Sequence, residues 1–143
     1  MTFVRFLAFS AALLALSITG YSAYGQEETR KVETRVFEMR VYYANPGKMQ
    51  ALHARFRDHT NKLFVKHGMT LIGYWSPIDP KDSEERLIYI LAYPSKEAAA
   101  KSWDAFQKDP VWLEAKANSE KKGVLVKKVD SIYLNPTDYS PIK

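Results

Sequence analysis

The sequence predicts an α+β domain with its elements in the order β-α-β-β-α-β, and three observations carry that expectation. Residues 36–43 (VFEMRVYY) alternate between two faces, residues 86–93 (RLIYILAY) are apolar almost throughout, and two stretches with 3.6-residue periodicity each follow a proline. Strict alternation is the mark of a strand, because successive side chains point to opposite sides of a pleated backbone.

Residues 26–35 begin with QEETRK, which is charged and lacks apolar content, and read as a flexible lead. In the first strand Phe37, Met39, Val41 and Tyr43 point one way, and Val36, Glu38, Arg40 and Tyr42 the other. Asn45-Pro46 predicts a helix start that runs to about His67 and stops at Gly68, with Met49, Leu52, Phe56, Thr60, Leu63 and His67 on one stripe. MTLIGYW (69–75) reads as the second strand, Ser76 to Glu85 as a loop and RLIYILAY as the third strand. A second helix is expected over 96–108, interrupted by Asp109-Pro110, which restarts a short helix through Trp112 and Leu113. Gly123 ends that segment, and 124–134 forms the fourth strand. This order is the ferredoxin-like split βαβ arrangement, a four-stranded antiparallel sheet with both helices on one face.

The opposite face predicts an assembly. The second and third strands are apolar in both phases, whereas a sheet wet on one side should carry a polar outer face. A second copy packed sheet to sheet would cover it, giving a homodimeric α+β barrel.

Ahead of the domain, Arg5 precedes an apolar run (FLAFSAALLALSI, 6–18), and Ala23-Tyr24-Gly25 offers a small-x-small cleavage pattern. Residues 1–25 therefore read as a signal peptide, and the expected location is exported, periplasmic or secreted. The run is shorter than the roughly 20 residues of a membrane span, so no stable span is expected after cleavage. Zero cysteines exclude a disulfide brace, and a net charge of +5 spread over scattered lysines gives no nucleic-acid footprint.

The segment HTNKLFVKHGMTLIGYW (59–75), the run ILAYPSKEAAAKSWDAFQKDPVW (90–112), the tail PTDYSP (136–141) and the opening strand VFEMRVY together resemble the NIPSNAP family. The resemblance spans residues 36–141 and implies a ferredoxin-like domain of the dimeric barrel group. It brings no agreed catalytic activity. Roles in trafficking and mitophagy signalling have been proposed for mitochondrial members, but the bacterial-type leader and single domain copy here argue against carrying those partners over.

Candidate chemistry is sparse. On an ideal helix His53 and His59 lie about 9 Å apart along the axis, and His59 and His67 about 12 Å, so no pair can share a zinc ion and no metal site is expected. No sequence motif asks for a cofactor, a cysteine nucleophile or a phosphate-cradling loop. There remains a pocket between sheet and helices for a small apolar or aromatic molecule, as in related barrel families. Tyr42, His67, Tyr74, Trp75 and Tyr89 are its expected lining, with His59 as the expected catalytic acid–base group. Two other readings stay open: a cofactor-independent monooxygenase or isomerase, and a protein-interaction module. His67 can equally serve as a helix-end residue bound to free carbonyls, and Tyr74 and Trp75 as core. Glu38 and Arg40 share one face of a central strand, and as buried charges they require partners, for which Lys128 and Asp130 are candidates.

Overall fold

The computed structural model describes residues 35–143; the expected signal peptide and all of the lead except Arg35 lie outside the described residues. Strands β1 (Val36–Ala44), β2 (Thr70–Trp75), β3 (Arg86–Tyr93) and β4 (Val126–Leu134) form one sheet in the order β2-β3-β1-β4. Every neighbouring pair is antiparallel. The crossovers carry α1 (Met49–Arg55), α2 (Asn61–Lys66), α4 (Lys96–Lys108) and α5 (Pro110–Ser119), with the short α3 (Pro80–Glu85) between β2 and β3. This is the ferredoxin-like α+β fold that the alternation and apolar runs predict.

Alternation divides the sheet into two faces, interrupted by register shifts at Leu71/Gly73 and Tyr43/Ala44. Leu87, Tyr89, Leu91 and Tyr93 of β3 are all buried in the core with Leu52, Phe56, Leu63 and Phe64 of the first crossover and Phe106 of α4. On the other face Phe37, Ile72, Ile90 and Leu134 border an apolar cavity of about 310 Å³, whose remaining wall is the C-terminal tail from Asn135 to Ile142. Arg35 Nε donates to the Lys143 carbonyl at 2.7 Å, tying the tail to the start of the domain. Among the described residues no helix is long and apolar enough to cross a membrane.

Three local features differ from expectation, each for a physical reason. Asn45 does not cap a helix: its backbone N–H donates to Leu125 O and its side-chain amide to Val124 O, so it fastens the end of β1 to the approach of β4. Pro46 and Gly47 then turn the chain, Gly47 at φ 71°, and α1 begins at Met49. The first crossover is not a uniform helix either. Residues Phe56–Thr60 form a π-helical turn, in which Asn61 N–H reaches back to Phe56 O and the Thr60 hydroxyl donates to Arg55 O at 3.2 Å. The expected loop at 76–85 contains α3, which Asp79 caps through Lys81 N–H and Asp82 N–H, with Pro80 in its first turn.

Glu38 and Arg40 also correct an expectation. They face the helices and pair with each other at 2.6 Å instead of with Lys128 and Asp130, which bind one another. The Glu38 carboxylate is 1% exposed and fully engaged. One oxygen accepts from Arg40 and Ser131, both at 2.6 Å; the other accepts from Tyr93 OH at 2.8 Å and Trp103 Nε1 at 2.7 Å. Burial would raise its pKa, but the bonds from Ser131 and Trp103 and the charge of Arg40 outweigh burial and hold it below the usual carboxylate range.

Candidate functional site

The π-helical turn and the end of β2 border an open cavity of about 260 Å³. Its lining combines apolar and aromatic groups (Phe56, Tyr74, Trp75, Leu87) with polar ones (His53, Arg57, Asn61, Ser76). Phe56 and Arg57 open the π turn and Asn61 follows it directly, and all three reach the same space. Such turns occur mostly as single insertions and are frequent at functional sites.

Behind the cavity stands an aromatic wall. Tyr74 stacks on Tyr89 with ring centroids 5.5 Å apart, and Tyr42 meets Tyr89 edge-on at 5.2 Å. Phe56 packs edge-to-face against Tyr42, Tyr74 and Tyr89 at 5.7, 5.8 and 5.3 Å. Edge-to-face and offset contacts of this kind fix ring orientation as well as burying area. The wall is rigid, and only Tyr74 of the three tyrosines faces the cavity.

Two buried polar atoms on the lining residues have no partner among the described residues: Tyr74 OH and Asn61 Oδ1. An unpartnered buried polar atom costs about 1–3 kcal/mol, so native structures rarely tolerate two around one small space. Arg40 Nε, Arg55 Nε and Tyr89 OH are also unpartnered, but none of their residues lines a cavity among those bordering the sheet or the first crossover. Burial, and after it the neighbouring Tyr42, pushes the Tyr74 hydroxyl up to about 12, so it remains a neutral donor and acceptor across the physiological range. Burial and then the charge of Arg57 lower the pKa of His53, which favours a neutral imidazole.

A second, more polar cavity of about 570 Å³ adjoins the first. Gly47, Met49, Gln50, Ser83 and Glu84 line it, and His53 and Ser76 line both.

Of the residues expected at the site, the structure brings Tyr42, Tyr74 and Tyr89 together in the wall and places Tyr74 and Trp75 on the cavity. Trp75 is 49% exposed, and its indole lies back over Gly73, where a Cβ would come within 2.7 Å of Cη2. His67 stands apart: its Nε2 meets Asp109 Oδ2 at 2.7 Å, beside Lys66 at 2.6 Å, while Asp109 Oδ1 caps α5 through Val111 N–H. It fastens the first crossover to the second. His59 is exposed on the π turn and lines none of these cavities. The histidine at the cavity is His53, and its signal was its spacing, four residues after Met49 and three before Phe56 on the edge of the apolar stripe.

Fold and cavity define a small ferredoxin-like domain with space for a single-ring molecule between its first crossover and the edge of its sheet. The NIPSNAP family profile matches residues 37–141, and the chain belongs to the NIPSNAP family. A NIPSNAP family protein from Agrobacterium tumefaciens is 25% identical, with a TM-score of 0.67 over 76% of this chain and 99% of that one. A second protein from the same organism, a NIPSNAP family protein with unknown function, is 22% identical with a TM-score of 0.65, over 78% of this chain and 96% of its own. An uncharacterized NIPSNAP domain protein from Burkholderia xenovorans, 19% identical, has a TM-score of 0.62 over 74% of this chain and 98% of its own. The latter two likenesses speak for the fold alone. No curated protein matches the chain.

Proposed function

We propose that this NIPSNAP-family chain is an exported homodimer that binds a small aromatic molecule carrying a hydrogen-bond donor, with its ring in the His53–Tyr74 cavity. One observation carries the binding: Tyr74 and Asn61, which line the same aromatic space, each hold a buried polar atom without a partner, Tyr74 OH and Asn61 Oδ1. An aromatic ring matches the lining, and a hydroxyl or N–H on it supplies the donor that the Asn61 oxygen requires. Calorimetric titration with p-cresol and with 4-methylanisole, which has the same ring but no donor, tests it. p-Cresol should bind about tenfold more tightly, the scale of one recovered hydrogen bond. Equal affinity for the two, or binding of neither, overturns the proposal.

Dimerisation is supported by the open face of the sheet, where Ile132 is 49% exposed and Leu134 38%. Large apolar groups gathered on one face favour a self-complementary contact. Sedimentation of the protein should give twice the chain mass, and Ile132→Glu should return it to a monomer; a wild-type monomer at micromolar concentration contradicts the reading. Export is supported by the composition of residues 1–25 and is checked by the N-terminal sequence of protein recovered outside the cytoplasm.

A second reading, cofactor-independent isomerase chemistry, is favoured by His53 alone. A neutral imidazole at the junction of two cavities is placed to accept a proton from a bound molecule. His53→Ala should then abolish turnover while leaving ring binding in place; unchanged turnover would remove this reading.

A further inference from the structure

The proposed ring site has a direction, set by its neighbouring cavity. His53 and Ser76 border both spaces, so a molecule seated against Tyr74 continues past them into the second cavity. Formal charge is ordered along this path. Arg57 lines only the ring cavity, and Glu84 lines only the second. Among the described residues Glu84 takes part in no ion pair, whereas its neighbours on α3 are engaged, Asp82 by Arg86 and Glu85 by Lys127. The Ser83 hydroxyl donates to Pro80 O at 2.8 Å, which leaves its lone pairs as acceptors beside Glu84. Gln50 adds an amide to the same wall. The second cavity is therefore rich in acceptors and carries one uncompensated negative charge. His53 at the junction does not oppose a cation, because burial and Arg57 favour its neutral form.

We propose that the ligand is a phenol bearing a short cationic arm, the ring held against Tyr74 and Asn61 and the arm directed past His53 and Ser76 to Glu84. Arg57 faces the oxygen-bearing end, and Glu84 faces the ammonium end. An anionic arm would meet the Glu84 carboxylate and be disfavoured. This inference rests on the proposed ring site, and it adds the second cavity and the charge of the arm.

Calorimetric titration with p-cresol, tyramine and 4-hydroxyphenylacetate near neutral pH separates the two. Tyramine should bind about fivefold more tightly than p-cresol, the scale of an ion pair at a solvent-accessible site, and this advantage should shrink with added salt. 4-Hydroxyphenylacetate should bind no more tightly than p-cresol. Glu84→Gln should lower tyramine to the affinity of p-cresol and leave p-cresol unchanged, while Glu85→Gln should preserve the preference. If p-cresol binds but tyramine gains nothing, or keeps its gain in Glu84→Gln, the cationic arm is refuted and the ring site stands. If none of the three binds at millimolar concentration, the ring site fails and this inference falls with it.

Discussion

Two polar clusters lie on the helix-covered face of the same sheet, one against α4 and one against the first crossover, and they are finished to different degrees. Around Glu38 both carboxylate oxygens are bound twice, by Arg40 and Ser131 and by Tyr93 and Trp103. Around Tyr74 and Asn61 a hydroxyl and an amide oxygen are buried and unbound, beside an open cavity. One is built on a charged pair and the other on neutral groups, and their hydrogen-bond accounts differ. Where a buried polar group is saturated by its own chain it fixes the fold; where it is left wanting next to a space of molecular size, it specifies an occupant. Aromatic content would not separate the two clusters, since both are rich in it.

The comparison can be broken most forcefully at Glu38. Glu38→Ala leaves Arg40, Tyr93, Trp103 and Ser131 without their shared acceptor in a buried site, and should destabilise the domain by about 3–5 kcal/mol, read by urea denaturation. A loss below about 1 kcal/mol would mean that the cluster does not hold the fold.

Acid should find the same cluster. Glu38 has a lowered pKa because its hydrogen bonds and Arg40 outweigh burial, and Asp109 has one because Lys66 and His67 bind its carboxylate. A depressed carboxylate contributes stability that is fully present above its unfolded pKa and is lost as pH falls through its folded one. Stability should therefore hold through neutral pH and decline once pH drops below the ordinary carboxylate values of about 4. In Glu38→Gln the acid-dependent loss should be shallower. A profile identical to that of the wild type would show that Glu38 ionises alike in the folded and unfolded chains.

A smaller effect sharpens the contrast within one residue type. Tyr93→Phe removes a donor to a buried carboxylate and should cost about 1.5–3 kcal/mol, the range for hydrogen bonds to charged groups. The cost should vanish in a Glu38→Gln, Tyr93→Phe double mutant cycle only to the extent that the charge was responsible.

Much of this was legible in the sequence. The alternation of β1, the apolar run of β3 and the proline punctuation before α4 and α5 are local signals, and the elements stand where those signals put them. Local signals failed where distant partners decided. Asn45-Pro46 has the chemistry of a helix start, but the amide of Asn45 is drawn to Val124 O across the sheet edge. Asp79-Pro80 carries a similar signal and does start a helix, because no strand competes for Asp79. Spacing puts Glu38 and Arg40 on one face but pointed to Lys128 and Asp130 as partners, which bind each other instead; nor does alternation say which of its two faces meets the helices. The site was half legible. Tyr42, Tyr74 and Tyr89 converge because their strands are neighbours in the predicted order. His53 lay on the edge of the apolar stripe, four residues after Met49 and three before Phe56, while the π turn that leaves His59 exposed has no local signal in the sequence.

The most direct measurement sets Tyr74→Phe beside Tyr93→Phe in ligand-free protein, both by urea denaturation. Tyr74→Phe removes a buried hydroxyl that has no partner, so it should raise stability by about 1–3 kcal/mol, while Tyr93→Phe shows its full loss. A loss in Tyr74→Phe as large as that in Tyr93→Phe would mean that the Tyr74 hydroxyl is already satisfied by its own fold, and the cavity would no longer specify a ligand.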